Sequence, residues 1–284
     1  MMIMSASPGR GGGARLGRRL YQTRVLKTEC GARGGTHCCH CLLLRRELLP
    51  RPTISAKVQQ MAQWLIMVSW VGAILGLLTA LAIAFDVTAH RQRMKIMNLV
   101  WPITGLYLPV VGWWLYADMA RREPMSIPMD MHAAHGGRSF RKSVFVSTTH
   151  CAAGCVIGDI IGAPIVFWGG WTLSGERLYA EYLVLFVLAY IFGVAFQYLP
   201  IRAMRRASRR VALLEAIKAD TLALTAFEIG LFAWMAVIYF QFVPRPELTS
   251  PTYWFMMQIG MVLGFIASYP PNWYLVRSGV KAGM

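Results

Sequence analysis

Six runs of about twenty residues, nearly free of charge, leave this chain little choice of fold. They lie at 64–85, 97–116, 144–171, 179–201, 221–243 and 253–276. Each is long enough to cross a hydrocarbon core of about 30 Å as a helix, and backbone in lipid must close its hydrogen bonds within its own segment. The runs predict an all-α, polytopic membrane helical bundle of about six transmembrane helices in a lipid bilayer. A chain that is 56% hydrophobic and only 15% charged is not an ordinary soluble domain.

Orientation follows from the connecting segments, because the cytoplasmic ones carry the excess of Lys and Arg. With the N-terminus inside, 24 of the 29 basic residues fall on the inner side, and without residues 1–60 the division is still 13 against 5. Both termini are expected to be cytoplasmic. The net charge of +16 is explained by this distribution, and no nucleic-acid reader motif accompanies it, so no nucleic-acid partner is expected. Within "RAMRRASRR" the arginines at 202, 205, 206, 209 and 210 form a basic stripe suited to anchoring at anionic headgroups.

Two domains are expected. Residues 1–60 are basic and rich in Gly, Arg and Cys, lack the long apolar core of a secretory signal, and read as a disordered extension or as translation from an upstream start. Cys30 and the "THCCHC" cluster at 36–41 are too crowded to wrap a tetrahedral metal in the usual way. Residues 61–284 form the six-span domain.

The segment "VFVSTTHCAAGCVIGDIIGAPIVFW" carries the most chemistry. On a helix, Cys151, Cys155 and Asp159 step along one ridge at i, i+4 and i+8, flanked by His150, while Gly154, Gly158 and Gly162 form the neighbouring ridge. Small-xxx-small spacing admits a second helix closely, either within the bundle or from a protein partner or second copy. Residues i and i+4 hold their Cβ atoms about 5–6 Å apart, too far for an easy disulfide. Thiolates beside an imidazole instead suit copper or zinc, so His150, Cys151, Cys155 and Asp159 are candidate metal ligands.

Other polar positions recur at membrane depth. In "KADTLALTAFEIGLFAWM", Lys218, Thr221, Thr225 and Glu228 are expected on one face, with Asp220 pointing elsewhere. Glu228 is a candidate ion-coupling group, because a carboxylate at that depth is costly unless it serves a purpose. Gln197 and Gln258 add polar intramembrane candidates, Pro102 and Pro109 mark kinks, and "SYPPNW" is expected to end the last helix. In the loop "REPMSIPMDMHAAHGG", Met125, Met129, Met131, His132 and His135 are soft and imidazole groups suited to capturing copper.

The stretches "MKIMNLVWPITGLYLPVVGWWLY", "THCAAGCVIGDIIGAPIVF", "FGVAFQYLPI", "KADTLALTAFEIGLFAWM" and "SPTYWFMMQIGMVLGFIASYPPNWYLVRSGVKAGM" resemble the bacterial multi-span proteins grouped as domain of unknown function family 4396, over about Met61–Met284. The resemblance implies a helical bundle in the bacterial inner membrane, and some relatives carry a loose copper label. Three functional readings follow: metal or ion transport through His150, Cys151 and Cys155, an accessory membrane subunit packing through its glycines, and a metal-dependent membrane oxidoreductase. No nucleophile–base pair or nucleotide fingerprint favours an enzyme, and transport is the leading expectation.

Overall fold

Lipid cannot solvate an amide, so a chain this apolar closes its backbone in helices. The computed structural model describes residues 54–92, 94–121, 139–205, 208–241 and 245–281, with side chains from 63 onward except at 203–205. Cys30, the 36–41 cluster and the loop bearing Met125, Met129, Met131, His132 and His135 lie outside the described residues. Two units are present, Met1–Val58 and Gln59–Met284. The first is described only in the opening turn of α1, so the expected boundary at 60/61 falls within that helix. Seven helices are described: α1 (Ile54–Ala89), α2 (Met97–Tyr107), α3 (Val111–Met119), α4 (Phe140–Gly169), α5 (Arg177–Arg205), α6 (Arg209–Gln241) and α7 (Pro251–Arg277). Gln63–Ala89 of α1, α4, Arg177–Arg202 of α5, and α6 are long and apolar enough to cross a membrane.

The second apolar run, expected to be one crossing, is a hairpin of two short helices. Trp101 on α2 meets Tyr116 on α3 with ring centroids 5.8 Å apart, and a Cβ on Gly112 would lie 2.9 Å from Cα of Gly105. A continuous helix holds residues 101 and 116 about 22 Å apart. The turn is built on Pro109, which cannot donate a hydrogen bond, and on Val110 at φ 63°. Val111 N–H donates to Pro109 O at 2.6 Å across Val110, a γ-turn of the strained hand. Neighbouring helices satisfy the freed groups. Val110 N–H donates to Thr79 Oγ1 on α1 at 3.1 Å, and Gln258 Nε2 on α7 donates to Leu106 O at 2.8 Å. Gln258, expected as a polar intramembrane candidate, is thus employed in holding the hairpin tip.

The hairpin alters the expected topology. Asp86, near the end of α1, accepts from Tyr116 Oη at 2.9 Å and pairs with Arg121 at 3.4 Å, and Lys142 at the start of α4 pairs with Asp118 at 2.7 Å. The chain therefore leaves and re-enters at one end of the bundle. Phe140 of α4 packs edge-on against Trp273 of α7 at that same end, whereas Ser69, in the first half of α1, meets Thr252 at the start of α7 at 3.5 Å. Gln63 and Lys281 consequently lie at opposite ends, hereafter the Pro251 end and the Phe140 end. The expectation that both termini share a side is not supported for the described part of the chain.

α4 is the central helix, buried at every residue from Val146 to Val156. Its glycine ridge is filled by α5. A Cβ on Gly158 would lie 2.3 Å from Ala189 N, and one on Gly154 would lie 2.6 Å from Cα of Gly193. Of the two expectations for Gly154, Gly158 and Gly162, a neighbour within the bundle or a separate partner, the first describes this ridge, which the chain's own α5 occupies. α6 and α7 pair similarly, with Gly230 against Cα of Gly264. The last helix does not end at Pro270 and Pro271 but continues to Arg277. The carbonyls deprived of donors belong to Ile266 and Ala267, on the outward side, while Ser268 Oγ and Asn272 Nδ2 bond Phe265 O and Ser268 O at 2.9 Å.

Two predictions follow from this packing. Gly158→Leu forces α4 from α5 and should lower stability by about 3 kcal/mol or more, read as a fall in thermal midpoint in detergent. Single cysteines at Gln92 and Arg121, in a background without the other cysteines, should be labelled by an impermeant maleimide from the same face of sealed vesicles; labelling from opposite faces would disprove the hairpin.

Candidate functional site

With α4 enclosed by α5, α6, α7 and the hairpin, its polar ridge faces a line of titratable side chains running along the bundle interior. At the Phe140 end, Lys281 Nζ lies 3.0 Å from Asp220 Oδ1 and donates to Asn272 Oδ1 at 2.9 Å. All three side chains are fully buried. Burial lowers the affinity of Lys281 for its proton, but the Asp220 carboxylate beside it overrides this and holds the ammonium above the ordinary lysine range. His150 is the next group inward, an electrostatic neighbour of Lys281 and Asp220. Its ring packs against Phe196 at 6.0 Å.

The middle of the line is formed by Cys151, Cys155 and Glu228, with Tyr107 reaching in from the hairpin tip. Asp159 follows, an electrostatic neighbour of both Glu228 and Glu181. Glu181 accepts from the hydroxyl of Tyr253 and lines a cavity of about 700 Å³ between α5, α6 and α7 at the Pro251 end. Tyr182, stacked on Phe232, and Met235 line the same cavity. Its mouth carries Glu176, Arg177 and Arg245.

The line is unusual in how little of it is paired. Both oxygens of Asp159 and both oxygens of Glu228 lack a hydrogen-bond partner among the described residues, as do His150 Nε2, Asp220 Oδ2, Gln197 Oε1 and Tyr107 Oη. Asp159 is 0% and Glu228 is 1% exposed. An ionised carboxylate sealed from water without a partner costs several kcal/mol, and native proteins rarely leave such groups unmade. The two are electrostatic neighbours within one bundle.

The structure redistributes the expected site residues. His150, Cys151, Cys155 and Asp159 are all buried inward, as their ridge requires, but they do not converge. His150 and Asp159 are nine residues apart on one helix, about 13 Å along its axis, whereas metal bonds to N, O and S are about 2.0–2.3 Å long. Among the described residues no three His, Cys, Asp or Glu side chains are grouped to hold a metal ion. Cys151 and Cys155 are free thiols.

On α6 the expected face was misassigned. Lys218 is exposed and Thr221 and Thr225 are half-buried, while Asp220 joins Glu228 on the buried ridge, eight residues apart. Thr221 Oγ1 donates to Ile217 O at 2.7 Å and meets Tyr190 Oη at 3.0 Å, a local role. Gln197 is buried near the Phe140 end. Glu181, Tyr107 and Lys281 were missed. Glu181 carried the same signal as Glu228, a carboxylate within an apolar run. Lys281 carried none, because a lysine just beyond a last helix reads as an anchor.

Glu228→Gln replaces a buried carboxyl group by an amide and keeps the shape of the side chain. It should leave stability unchanged or raise it by about 1–2 kcal/mol, measured by thermal unfolding in detergent. A carboxylate with a structural hydrogen bond would instead lose stability on this substitution.

No match was found among curated proteins or among solved structures. A family model described as "Domain of unknown function (DUF4396)" matches residues 141–281. The match begins in the first turn of α4 and ends at Lys281, so it contains all of the polar line except Tyr107, and it excludes the helices before α4 that the resemblance was expected to include. The chain therefore belongs to the DUF4396 family.

Proposed function

We propose that the chain is a polytopic protein of the bacterial cytoplasmic membrane that passes a small cation through the interior of α4–α7. The observation that carries this reading is the pair of buried, unpartnered carboxylates, Asp159 and Glu228. Ionisable groups held at membrane depth without a protein counter-charge mark ion paths. The α2–α3 hairpin supports the reading, since broken backbone at that depth is tolerated where protein encloses it or where it lines a cavity, and half-helices are a recurrent element of transporters.

On this reading α1, α4, α5, α6 and α7 cross the bilayer and the hairpin enters and leaves on one side. The exposed apolar face of α1, with Trp64, Met67, Leu78 and Phe85, meets lipid. The Phe140 end faces the cytoplasm. After Gln63, every described Lys and Arg except Arg177 and Arg245 lies at or toward that end, a stronger asymmetry than the six-span arrangement gives. The cation enters the cavity at the Pro251 end, passes Glu181 and Tyr253, rests between Asp159 and Glu228, and leaves past Asp220. Cys151 and Cys155 border the resting position, which extends the class of cargo to soft ions such as Cu(I) or zinc.

The test is reconstitution into proteoliposomes with uptake of H⁺, Na⁺, K⁺ and Cu(I) measured separately. One of these should move in the wild-type protein, and Glu228→Gln and Asp159→Asn should each reduce that flux at least tenfold. Cys155→Ser should reduce it only where copper is the cargo. Flux that is unchanged in both carboxylate variants, or absent for every ion, would overturn the reading.

A further inference from the structure

The Phe140 end of the polar line holds a second set of cation ligands, and in this structure the chain fills it with its own side chain. Asp220 Oδ1 and Asn272 Oδ1 converge on Lys281 Nζ at 3.0 and 2.9 Å. The Asn272 amide is oriented for this purpose, because its Nδ2 donates to Ser268 O and so turns its oxygen to the ammonium. Asp220 Oδ2 is fully buried and has no partner. Gly193 lets α5 pack closely beside it, since a Cβ there would lie 3.1 Å from that oxygen and 2.5 Å from Leu224 Cδ1. An ionised carboxylate in such a place is costly without a positive charge beside it, and the oxygen ligands suit a hard cation as well as an ammonium.

The occupant is carried on a short, peripheral segment. Beyond Arg277 the chain makes one further turn, with Ser278, Gly279 and Val280 exposed and only the Lys281 side chain directed inward. Gly279 has φ 73° and open space around it. Three backbone bonds, Ser278 N–H to Tyr274 O at 2.9 Å, Gly279 N–H to Val276 O at 3.2 Å and Lys281 N–H to Leu275 O at 3.0 Å, and the Ser278 hydroxyl on Leu275 O at 3.2 Å hold the turn beside the two bonds of the ammonium. Lifting this turn is a local opening that disturbs no helix contact of the bundle.

We propose that Asp220 and Asn272 form a binding site for a monovalent cation of ammonium size, and that Lys281 is a tethered competitor which the free cation displaces. Resting on the transport reading, this site is the exit from the line, and Lys281 closes it when no cation is present.

The experiment uses the full chain in nanodiscs and an amine-acylating reagent, with modification of Lys281 read by peptide mass spectrometry. In tetramethylammonium chloride, whose cation is too large for the site, Lys281 should react slowly. In K⁺ or methylammonium at equal ionic strength its modification should rise at least fivefold, while exposed Lys218 reacts equally in all three salts. Lys281→Met should acquire a thermal midpoint that rises saturably with K⁺ or methylammonium, by about 2–5 °C, and Asp220→Asn added to it should abolish that rise. Lys281 modification that is the same in every salt overturns the proposal, and it does so on the wild-type protein even where Lys281→Met fails to fold. Neither readout requires flux. Loss of transport in Glu228→Gln with a salt-insensitive Lys281 removes this site and leaves the transport reading, whereas a salt-sensitive Lys281 without flux in any variant does the reverse.

Discussion

The backbone contact between α4 and α5 is the constraint on which the rest of the interior depends. At Gly158 the two helices approach until a single added carbon would lie 2.3 Å from the nitrogen of Ala189. In lipid there is little hydrophobic drive to pair two apolar helices, so such an approach and its dispersion contacts supply much of the specificity. Once α5 occupies the glycine ridge, the adjacent ridge of α4 cannot face lipid. Cys151, Cys155 and Asp159 are turned toward α6 and α7, where Glu228 and Asp220 occupy the equivalent buried ridge of α6.

The α2–α3 hairpin depends on the same interior. A turn containing Pro109 and Val110 at φ 63° would be untenable against lipid, and it stands because Thr79 and Gln258 bond the groups it exposes. The hairpin brings the Tyr107 hydroxyl beside the α4 thiols and returns the chain to the end at which it started. That return moves Arg91, Lys95 and Arg121 to the same end as Arg141, Arg209 and Arg277, and so concentrates the basic residues on one side of the bundle.

The interior is a line of charges with no single centre of coordination. Soft and hard groups alternate along it: Asp220 with Lys281, then His150, two thiols, Glu228, Asp159 and finally Glu181 with Tyr253. Groups spaced along a helix axis by several ångströms each cannot grip one small ion together; on the proposed transport reading they offer it successive positions. Pairing differs along the line in the same sense. Each end has a partner, Lys281 on Asp220 Oδ1 at one and Tyr253 on Glu181 at the other, while the middle carboxylates have no hydrogen-bond partner among the described residues.

The amino-acid sequence by itself determined the helical class, the inward ridge of α4, the close approach signalled by Gly154 and Gly158, and the placing of Glu228 at depth. Each of these follows from local periodicity and from the cost of charge at depth, which a linear pattern records directly. Asp220 was legible in principle, because it lies eight residues from Glu228 on one ridge, yet Lys218 lies nearly as close in angle and only packing separates them. The four expected metal ligands are not grouped together among the described residues, because ridge membership says nothing of distance along the axis. The direction of the chain after α1, the employment of Gln258, the occupation of the glycine ridge by α5 and the burial of Lys281 were decided by the tertiary structure alone. They are contacts between residues as many as 186 positions apart, and whether a proline bends a helix or reverses it, or whether a terminal lysine meets water or a buried carboxylate, depends on which neighbours are present to receive it.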